Sequence, residues 1–343
     1  MENNEFIKVG VIGCGMIARM YKILVKLVKN TKIVAAVDPM IERAQKIAGK
    51  KGRAYDNPEE MYKNEDIDAV CIATPHFLHK PMIKQALEEG KHVFCEKPLT
   101  ISVEDAREIN QLDKKFIKLK IGIDYQYRYD PNCNALATGV QSGHLGKLYY
   151  ANCGIYFSRD LKYFEKGLWR TKMDKAGGGT LMMHGSHILD IMIWALGDPI
   201  SVIGKVDNLK FKNIEVEDFG FGIVEFENDV YAQLNNSMIV SSKPRKFGND
   251  MVSLQVFGEK GWCEYYGPAP FSKLKWIDVK KYKTEKKYSG FFHFGKCIKA
   301  FGNWILHDEP FLNTVEESAK VLRMIMALYK SSKTGKKENV EPL

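Results

Sequence analysis

The stretch FIKVGVIGCGMIA, residues 6–18, decides the fold. A short apolar run ends at a glycine and leads directly into the pattern G-x-G-x-x-A. A strand followed by this pattern and a helix is typical of a dinucleotide-binding turn, because glycine permits the tight turn and lets backbone approach a pyrophosphate. The free N–H groups at the helix N-terminus would then face the anion. The residues predicted to hold the cofactor here are Gly13, Gly15, Met16 and Ile17.

An acidic residue follows at the place that an adenosine ribose requires. Asp38 ends the second apolar run, KIVAAVD, and a carboxylate there can accept hydrogen bonds from a ribose diol but repels a 2′-phosphate. We therefore predict NAD as cofactor and leave NADP open, because Arg43 is close in sequence. The alternative is that the glycines only form a tight turn and that Asp38 caps the helix after Pro39.

Strand and helix patterns alternate through the first part of the chain and then give way to β-rich segments. Runs such as IDAVCIATP are almost continuously apolar, as in buried parallel strands, and helical patterns separate them. The order predicts an α/β fold with a doubly wound Rossmann domain over residues 1–125. Residues 126–343 are predicted to form an α+β domain built on an antiparallel sheet, whose last helix packs back on the first domain.

Composition excludes several classes of protein. The 343 residues exceed the size of one typical core, which favours two domains. The net charge of +9 is spread along the chain, so we expect no nucleic-acid partner, although an anionic substrate or cofactor would be favoured. No apolar run approaches the length of a membrane span and the N-terminus does not resemble a signal peptide. Seven scattered cysteines read as buried thiols of a cytoplasmic protein.

A charged pair closes a later strand, KHVFCEKP. In parallel sheets the ligand lies outside the carboxyl ends of the strands, so Lys97 at this position would face the nicotinamide. The alternative is a surface ion pair between Glu96 and Lys97.

Several ordered motifs resemble those of the Gfo/Idh/MocA oxidoreductase family, and the resemblance covers nearly the whole chain. They are TPHFLHKPMIKQALEEGKHVFCEKPL (74–99), YQYRYDP (125–131), LWR (168–170) and AGGG followed by H-x-x-D. The resemblance implies a Rossmann domain and a second domain with a large, open, mostly antiparallel sheet, whose open face forms a homodimer or homotetramer. It also implies hydride transfer between NAD(P) and a carbinol carbon of a sugar, sugar derivative or cyclic polyol.

The resemblance also assigns roles to matching positions. Lys97 would touch the nicotinamide ribose and the substrate hydroxyl, as one of two proton-handling residues. The residues that would line the cofactor or the substrate end of the site are Thr74, Pro75, His79, Glu96, Arg128, Trp169 and Arg170. For His79 a helix-capping role, and for Trp169 a domain-interface role, remain alternatives.

The segment GGGTLMMHGSHILD, residues 177–190, carries the second proton-handling residue. By resemblance, its glycines would let the chain reach the nicotinamide and His187 would be the general acid/base. The usual aspartate four residues earlier is replaced by Met183, which cannot orient or stabilise an imidazolium. Either another group orients His187, which we favour, or His184 supplies part of the function, or the chain catalyses poorly. A metal site is not expected, because H-x-x-H lacks a full ligand set.

Two alternative functions therefore remain beside a sugar or polyol dehydrogenase. One is an enzyme acting on a nucleotide-linked sugar, which the positive charge would favour. The other is a catalytically weak NAD-binding regulatory protein, which Met183 keeps open.

Overall fold

The computed structural model describes residues 6–165, 167–240, 250–267, 272–279 and 292–343. The chain divides into two compact units. The first unit comprises Met1–Thr100, Glu104–Gln126 and Phe294–Ser318. The second unit comprises Ile101–Val103, Tyr127–His293 and Ala319–Leu343.

The first unit is built on a parallel sheet. Its strands are β1 (Ile7–Ile12), β2 (Thr31–Val37), β3 (Arg53–Tyr55), β4 (Ala69–Ile72), β5 (His92–Cys95) and β6 (Ile121–Ile123). Its helices are α1 (Met16–Val25), α2 (Ile41–Ala48), α3 (Pro58–Asn64), α4 (His79–Glu88), most of α5 (Val103–Lys115) and most of α10 (Phe292–His307). The six strands lie in the order β3-β2-β1-β4-β5-β6, and every pairing is parallel.

This order confirms the predicted doubly wound Rossmann sheet. Strand order reverses between β1 and β4, and in such sheets ligands bind outside the carboxyl ends of the strands at this point. All four residues of β4 are buried, as its continuous apolar run predicts. The fold therefore brings the glycine motif after β1 and the Thr74-Pro75 turn after β4 to the same edge of the sheet.

Helix α1 turns a different face to the sheet than its apolar pattern predicts. We expect Ile17, Met20, Ile23, Leu24 and Leu27 to form the buried stripe. The buried residues of the helix are instead Ala18, Tyr21 and Leu24, while Ile23 and Leu27 are both 64% exposed. The hydroxyl of Tyr21 hydrogen-bonds buried carboxyl groups, so a residue with a polar end occupies the inner face.

The segment around α10 belongs with the first unit. Phe301 packs 5.2 Å from Phe94 of β5 and 5.9 Å from Phe311, measured between ring centroids. A β-carbon on Gly122 of β6 would meet both phenylalanines, so the absence of a side chain there allows this packing. The final helix, expected to pack back on the first domain, groups with the second unit from Ala319 onwards.

The second unit is built on one large sheet. Its strands are β7 (Leu148–Tyr156), β8 (Pro199–Asp207), β9 (Phe219–Phe226), β10 (Tyr231–Ser237), β11 (Met251–Gly258), β12 (Gly261–Gly267), β13 (Lys273–Ile277) and β14 (Glu338–Asn339). Its helices are α6 (Pro131–Gln141), α7 (Leu161–Glu165), α8 (Met173–Ala176), α9 (Ser186–Leu196) and most of α11 (Val315–Thr334). The order is β13-β12-β11-β7-β10-β9-β8-β14, with only the β7–β10 pairing parallel among the described strands. The predicted mostly antiparallel sheet is thereby confirmed.

One face of this sheet is covered and the other carries exposed apolar side chains. Helix α9 packs against β7 and β11, and Leu328 of α11 lies close to Gly204 and Gly222. On the opposite face of the sheet, five large side chains are 43–51% exposed. They are Tyr150, Ile203, Phe221, Ile223 and Tyr231.

Two sequence expectations about side chains and helices can be compared with the structure. All seven cysteines are buried and unbridged, which confirms that they are buried thiols. In the part of the chain that the structure describes, no helix is both long and apolar enough to span a bilayer.

Candidate functional site

The glycine turn after β1 has the geometry of a phosphate cradle. Gly13 has φ +89°, a conformation that side-chain-bearing residues rarely adopt, and a β-carbon there would lie 2.7 Å from the carbonyl oxygen of Ala73. A β-carbon at Gly15 would meet nothing within 4 Å. Helix α1 begins at the next residue, Met16, which is 75% exposed, followed by the half-buried Ile17. Backbone N–H groups and open space thus coincide where an anion would bind.

Asp38 braces this turn and still has acceptor capacity. Its Oδ2 accepts a hydrogen bond from the backbone N–H of Cys14 at 2.9 Å, and its Oδ1 accepts one from Met40 at 2.9 Å. A carboxylate has about four lone-pair sites, so two remain for a ribose diol. Asp38 therefore combines the two interpretations given by the sequence, since it shapes the turn before α2 and also suits an adenosine ribose.

The Thr74-Pro75 turn after β4 is joined to the Glu96-Lys97-Pro98 turn after β5 by His79. The ring of His79 is fully buried, with Nδ1 2.7 Å from the carbonyl oxygen of Pro98 and Nε2 3.2 Å from that of Thr74. Burial lowers the pKa of His79 to about 4, against the two carbonyl groups, which raise it. A neutral imidazole whose Nδ1–H donates to Pro98 fits the shorter distance. His79 thus connects the two turns that are predicted to line the cofactor.

The hydroxyl of Thr74 lies in the same region. Its Oγ1 is buried and has no hydrogen-bond partner among the described residues. A buried hydroxyl of this kind normally has a partner in proteins, including bound ligands. The open space at Gly15, the spare acceptors of Asp38 and this hydroxyl all fit NAD bound along the carboxyl edge of the sheet.

Glu96 and Lys97 follow β5 at this edge, and Glu96 contacts two other elements. Tyr21 Oη on α1 lies 2.5 Å from Glu96 Oε1 and 2.5 Å from Oδ2 of Asp124, which follows β6. Burial and the neighbouring Asp124 raise the pKa of Glu96 to about 8, while Tyr21 and the positive charge of Lys97 act to lower it. Lys97 is half-buried.

In the second unit the three consecutive glycines have a structural role. A β-carbon on Gly178 would overlap the hydroxyl of Tyr329, and one on Gly179 would overlap the backbone of Glu217. The glycines are predicted to allow approach to the nicotinamide, and the structure gives a second reason for them. The absence of side chains at Gly178 and Gly179 lets the segment pack directly against α11 and against the residues that precede β9.

A buried carboxylate holds the start of the His184–His187 segment. Glu217 accepts hydrogen bonds from the backbone N–H groups of Gly179 at 2.6 Å and Leu181 at 3.0 Å, and from the hydroxyl of Tyr329 at 3.0 Å. Burial raises the pKa of Glu217 to about 7, opposed by these donors. We call Glu217, its two backbone donors and Tyr329 the Glu217 anchor.

The two histidines have different surroundings. Residues Leu181–Gly185 form a π-helical turn, a feature often found at functional sites, and α9 follows it. The His187 ring stacks on Tyr127 at 4.9 Å between centroids, with 21° between the ring planes. The His184 ring stacks on Phe157 at 4.7 Å and lies 5.3 Å from Tyr163.

Met183 occupies an apolar cluster. It is 7% exposed and packs with Ala176 and Val216. Its sulfur accepts a contact from the Tyr163 hydroxyl at 3.6 Å. The sequence spacing predicts that Met183 and His187 share one helix face. In the structure Met183 has Tyr163 as a neighbour and His187 has Tyr127.

Arg128 forms a buried ion pair in the second unit. It is 2% exposed, its Nη2 and Nε donate to the two oxygens of Asp190 at 2.7 and 2.9 Å, and its guanidinium lies 5.1 Å from the Trp194 ring. Both partners on α9 are close to His187 in sequence. The structure thus gives Arg128, predicted as a cofactor contact, the role of fixing the helix that carries His187.

Trp169 and Arg170 lie in a short turn, Leu168–Thr171, near the Met183 cluster. The Arg170 guanidinium is 4.5 Å from the Trp169 ring and 5.6 Å from that of Tyr163. Trp169 itself packs on the apolar cluster of Met183. Both side chains are half-buried, so they border this cluster and also reach the surface.

The candidate residues therefore form two groups, each within one unit. The first group gathers the glycine turn, Asp38, Thr74-Pro75, His79 and Glu96-Lys97 at one sheet edge. The second gathers His184 and His187 with Arg128, Trp169 and Arg170. Sequence reasoning missed Tyr21, Asp124, Tyr127, Tyr163 and Glu217, which contact the predicted residues. Only Tyr127 carried a signal, since it lies in the YQYRYDP motif. No cluster of metal-ligating side chains occurs in the described ranges.

Comparison with known families matches both units. The model of the NAD-binding Rossmann fold of the GFO/IDH/MocA oxidoreductase family matches residues 7–119. The model of the GFO/IDH/MocA C-terminal domain matches residues 134–264.

Individual relatives include enzymes that act on sugars and polyols. The chain is 25% identical over 355 residues to D-glucoside 3-dehydrogenase of Escherichia coli (strain K12), covering 96% of each. It is 28% identical over 268 residues to scyllo-inositol 2-dehydrogenase (NAD(+)) of Bacillus subtilis (strain 168), covering 74% of this chain and 72% of that one. The WlbA dehydrogenase of Bordetella pertussis, solved with NADH and UDP-GlcNAcA, has the same fold at a TM-score of 0.86, with 22% identity over 98% of this chain and 99% of that one.

Proposed function

The chain belongs to the Gfo/Idh/MocA family of NAD-binding oxidoreductases, and on that premise we propose that it transfers hydride between NAD and a ring carbinol of a sugar, sugar derivative or cyclic polyol. The observation that carries the proposal is the joint position of the glycine turn after β1 and Lys97 after β5, at one edge of one parallel sheet. Relatives that act by name on a glucoside and an inositol support this substrate class.

The reaction needs a base for one proton. In oxidation of a carbinol, the C–H bond breaks with its electron pair passing to the nicotinamide carbon, the O–H bond breaks, and C=O forms. When bound, NAD supplies the hydride acceptor. The residues of this chain must take the hydroxyl proton, hold the substrate oxygen in reach, and exclude water.

Lys97 is the proposed proton-handling residue of the first unit. Its position after β5 lies on the ligand edge of the sheet, and Glu96 beside it is held by Tyr21. A lysine becomes a useful base only in its neutral form, so the charges around it decide its working pH.

His187 is the proposed general acid/base of the second unit. Three contacts fix its segment: Tyr127 stacks on the ring, the Arg128–Asp190 pair holds α9, and the Glu217 anchor holds the preceding turn. These contacts support the interpretation that groups other than residue 183 orient His187. His184 stacks on Phe157, and we propose that it supports His187 as a neighbour and is not itself the general acid/base.

The exposed apolar face of the second-unit sheet supports the proposed homo-oligomer. Ile203 and Ile223 are cross-strand partners there, and Tyr150 stacks on Phe257 at 4.5 Å, so apolar side chains continue across several strands. Contiguous apolar surface of this kind is typical of an interface. We propose that a second copy of the chain covers it, and that buried thiols reflect a cytoplasmic location.

The oligomer is tested by light scattering coupled to gel filtration. Ile223→Arg should reduce the measured mass to that of a smaller assembly. Ile117→Arg alters a residue that is 82% exposed in the first unit, and should leave the mass unchanged. A wild-type protein that runs as a monomer would exclude the proposed interface.

Substrate class is tested by following NADH formation with inositols, free sugars and UDP-linked sugars, with NAD and NADP as cofactors. The proposal expects turnover with a free sugar or polyol and a preference for NAD, because Asp38 disfavours a 2′-phosphate. Turnover restricted to UDP-linked sugars would establish the nucleotide-sugar alternative. Tight NAD binding without turnover on any of them would favour the regulatory protein.

A further inference from the structure

Three oxygen atoms from three elements meet next to Lys97 in the first unit. Tyr21 comes from α1, Glu96 from the end of β5 and Asp124 from the end of β6. We call these three residues the Tyr21 cluster. Tyr21 and Asp124 are each 1% exposed, and Glu96 is half-buried.

The number of hydrogen atoms available to the cluster indicates an additional proton. Tyr21 Oη lies 2.5 Å from an oxygen of each carboxyl group, and an O···O distance of this size requires a hydrogen atom between the two oxygens. The tyrosine hydroxyl supplies one hydrogen atom and can donate it to only one carboxylate. The other contact needs a carboxyl O–H that donates to Tyr21 Oη.

The protonation state of Tyr21 does not change this conclusion. Burial and the two carboxyl groups raise the pKa of Tyr21 well above its usual value, so its hydroxyl stays neutral. Burial likewise raises the pKa of Asp124, to about 6, and that of Glu96, to about 8. These directions agree with a buried and a half-buried carboxyl group that together keep one proton at neutral pH.

Among the described residues, the groups that act on the cluster from neighbouring positions are three thiols and the ammonium group of Lys97. Three thiols belong to strands β4 and β5 and to helix α10, and burial raises the pKa of each well above its usual value. They are Cys71, Cys95 and Cys297. The positive charge of Lys97 acts on both carboxyl groups and lowers the pKa of each.

We propose that Tyr21, Glu96 and Asp124 share a single proton between the two carboxyl groups through the Tyr21 hydroxyl, and that this cluster positions Lys97 and sets the charge beside it. The role of Lys97 in this statement rests on the proposed function, whereas the shared proton does not. With one proton, the cluster carries one negative charge. Electrostatic coupling is reciprocal, so that charge stabilises the ammonium form of Lys97 by the same interaction through which Lys97 acts on the carboxyl groups.

The cluster also connects helix α1 to the turn that carries Lys97. Tyr21 lies on the helix whose N-terminus forms the phosphate cradle, and Glu96 precedes Lys97 directly. Tyr21 and Asp124 are thus positioning residues: they hold the turn that carries Lys97 against α1, and are expected to touch neither cofactor nor substrate.

The shared proton is tested by infrared difference spectroscopy at pH 7, in the carboxylic-acid C=O region. We expect Glu96→Gln and Asp124→Asn each to remove the same protonated-carboxyl band, because the carboxyl group left behind then ionises and accepts from Tyr21. Glu59→Gln, an exposed carboxyl on α3, is the control and should leave the band in place. Contributions from Glu217 cancel in the difference spectra.

A different outcome would overturn the shared proton. If only one of the two substitutions removes the band, an independently buried acid is present and the pair shares nothing. If the wild-type protein shows no such band, the cluster carries no additional proton. Titration of the wild-type band requires no substitution, and it should disappear as the pH rises past about 8, where Glu96 ionises.

The effect on Lys97 is measured separately, on a substrate that the protein turns over. In the direction of carbinol oxidation the rate should rise with pH as Lys97 loses its proton. The double variant Glu96→Gln/Asp124→Asn removes the negative charge, so this rising limb should move to lower pH by about one unit or more. An unshifted limb together with the infrared result would retain the shared proton and overturn its influence on Lys97.

Discussion

Two buried tyrosine–carboxylate contacts hold the two segments that carry the proposed proton-handling residues, and they differ in their supply of hydrogen atoms. In the Tyr21 cluster, two carboxyl groups depend on one hydroxyl. In the Glu217 anchor, one carboxylate receives two backbone N–H groups and the Tyr329 hydroxyl. The three donors oppose the burial that raises the pKa of Glu217 to about 7, whereas two carboxyl groups that share one hydroxyl need an additional proton.

The difference indicates two kinds of support. The Glu217 anchor fixes backbone: it satisfies N–H groups at the start of the segment that leads to His187. The Tyr21 cluster fixes a side-chain position and also a charge, since Lys97 lies beside a group that can gain or lose a proton. Substitutions should therefore affect stability more in the second unit and pH dependence more in the first.

The largest effect is expected on kcat when either proposed proton-handling residue is replaced. Lys97→Met, with a side chain of similar length and no amine, should lower kcat by about 10²–10⁴-fold, the usual contribution of a general acid/base. His187→Asn should do the same in the second unit. Lys84→Met changes an exposed lysine of α4 and is the matched control. NAD affinity, measured by fluorescence quenching, should be retained in all three, and wild-type turnover in Lys97→Met would remove Lys97 from the mechanism.

Next in size is the loss of the Glu217 anchor. Glu217→Ala leaves two backbone N–H groups and a hydroxyl without their acceptor, and should destabilise the protein by about 3 kcal/mol. Tyr329→Phe removes one donor only and should cost about 1 kcal/mol. Urea unfolding measures both values. Equal effects of the two variants would mean that Glu217 supports Tyr329 alone and does not hold the glycine segment.

How far sequence reasoning reaches is visible at these same residues. The glycine motif, Asp38 and Glu96-Lys97 were predictable because local chemistry and strand order place them at the ligand edge of the sheet. Glu217 and Asp124 were not, because each meets its partner only through contacts between segments distant in the chain. The apolar pattern of α1 misled for a physical reason, since the inward-facing Tyr21 counts as partly polar. Gly178 and Gly179 show the same limit, because the atoms that exclude a side chain there belong to Tyr329 and Glu217, which are distant in the sequence.

Met183→Asp tests whether the second unit needs a carboxylate at residue 183. The aspartate would enter an apolar cluster with Ala176 and Val216, and the Tyr163 hydroxyl lies 3.6 Å from the sulfur that it would replace. We expect a loss of about 1–3 kcal/mol of stability from the buried charge and no large gain in turnover. Met183→Leu keeps the apolar volume and is the control. A large gain in turnover would show instead that the present site lacks a carboxylate it needs.

The smallest effect is a difference in the pH dependence of stability. Each buried glutamate has a raised pKa, so its contribution is fully present below the ordinary value of 4.5 and is lost as the pH rises, by about pH 7 for Glu217 and about pH 8 for Glu96. The loss is at most about 1.4 kcal/mol per pH unit for each group. Glu217→Gln should flatten the curve of unfolding free energy below about pH 7, and Glu96→Gln should flatten it up to about pH 8. Identical curves for the two variants would deny the distinction between the two supports.

The central claim is hydride transfer from a carbinol carbon to NAD, and isotope transfer tests it most directly. The protein is incubated with NAD and a cyclic polyol or free sugar deuterated at its ring carbinol carbons, and the NADH formed is analysed by mass spectrometry. We expect NADH one mass unit heavier, with a lower kcat/KM for the deuterated substrate. Unlabelled NADH, or no NADH from any ring carbinol despite bound NAD, would contradict it.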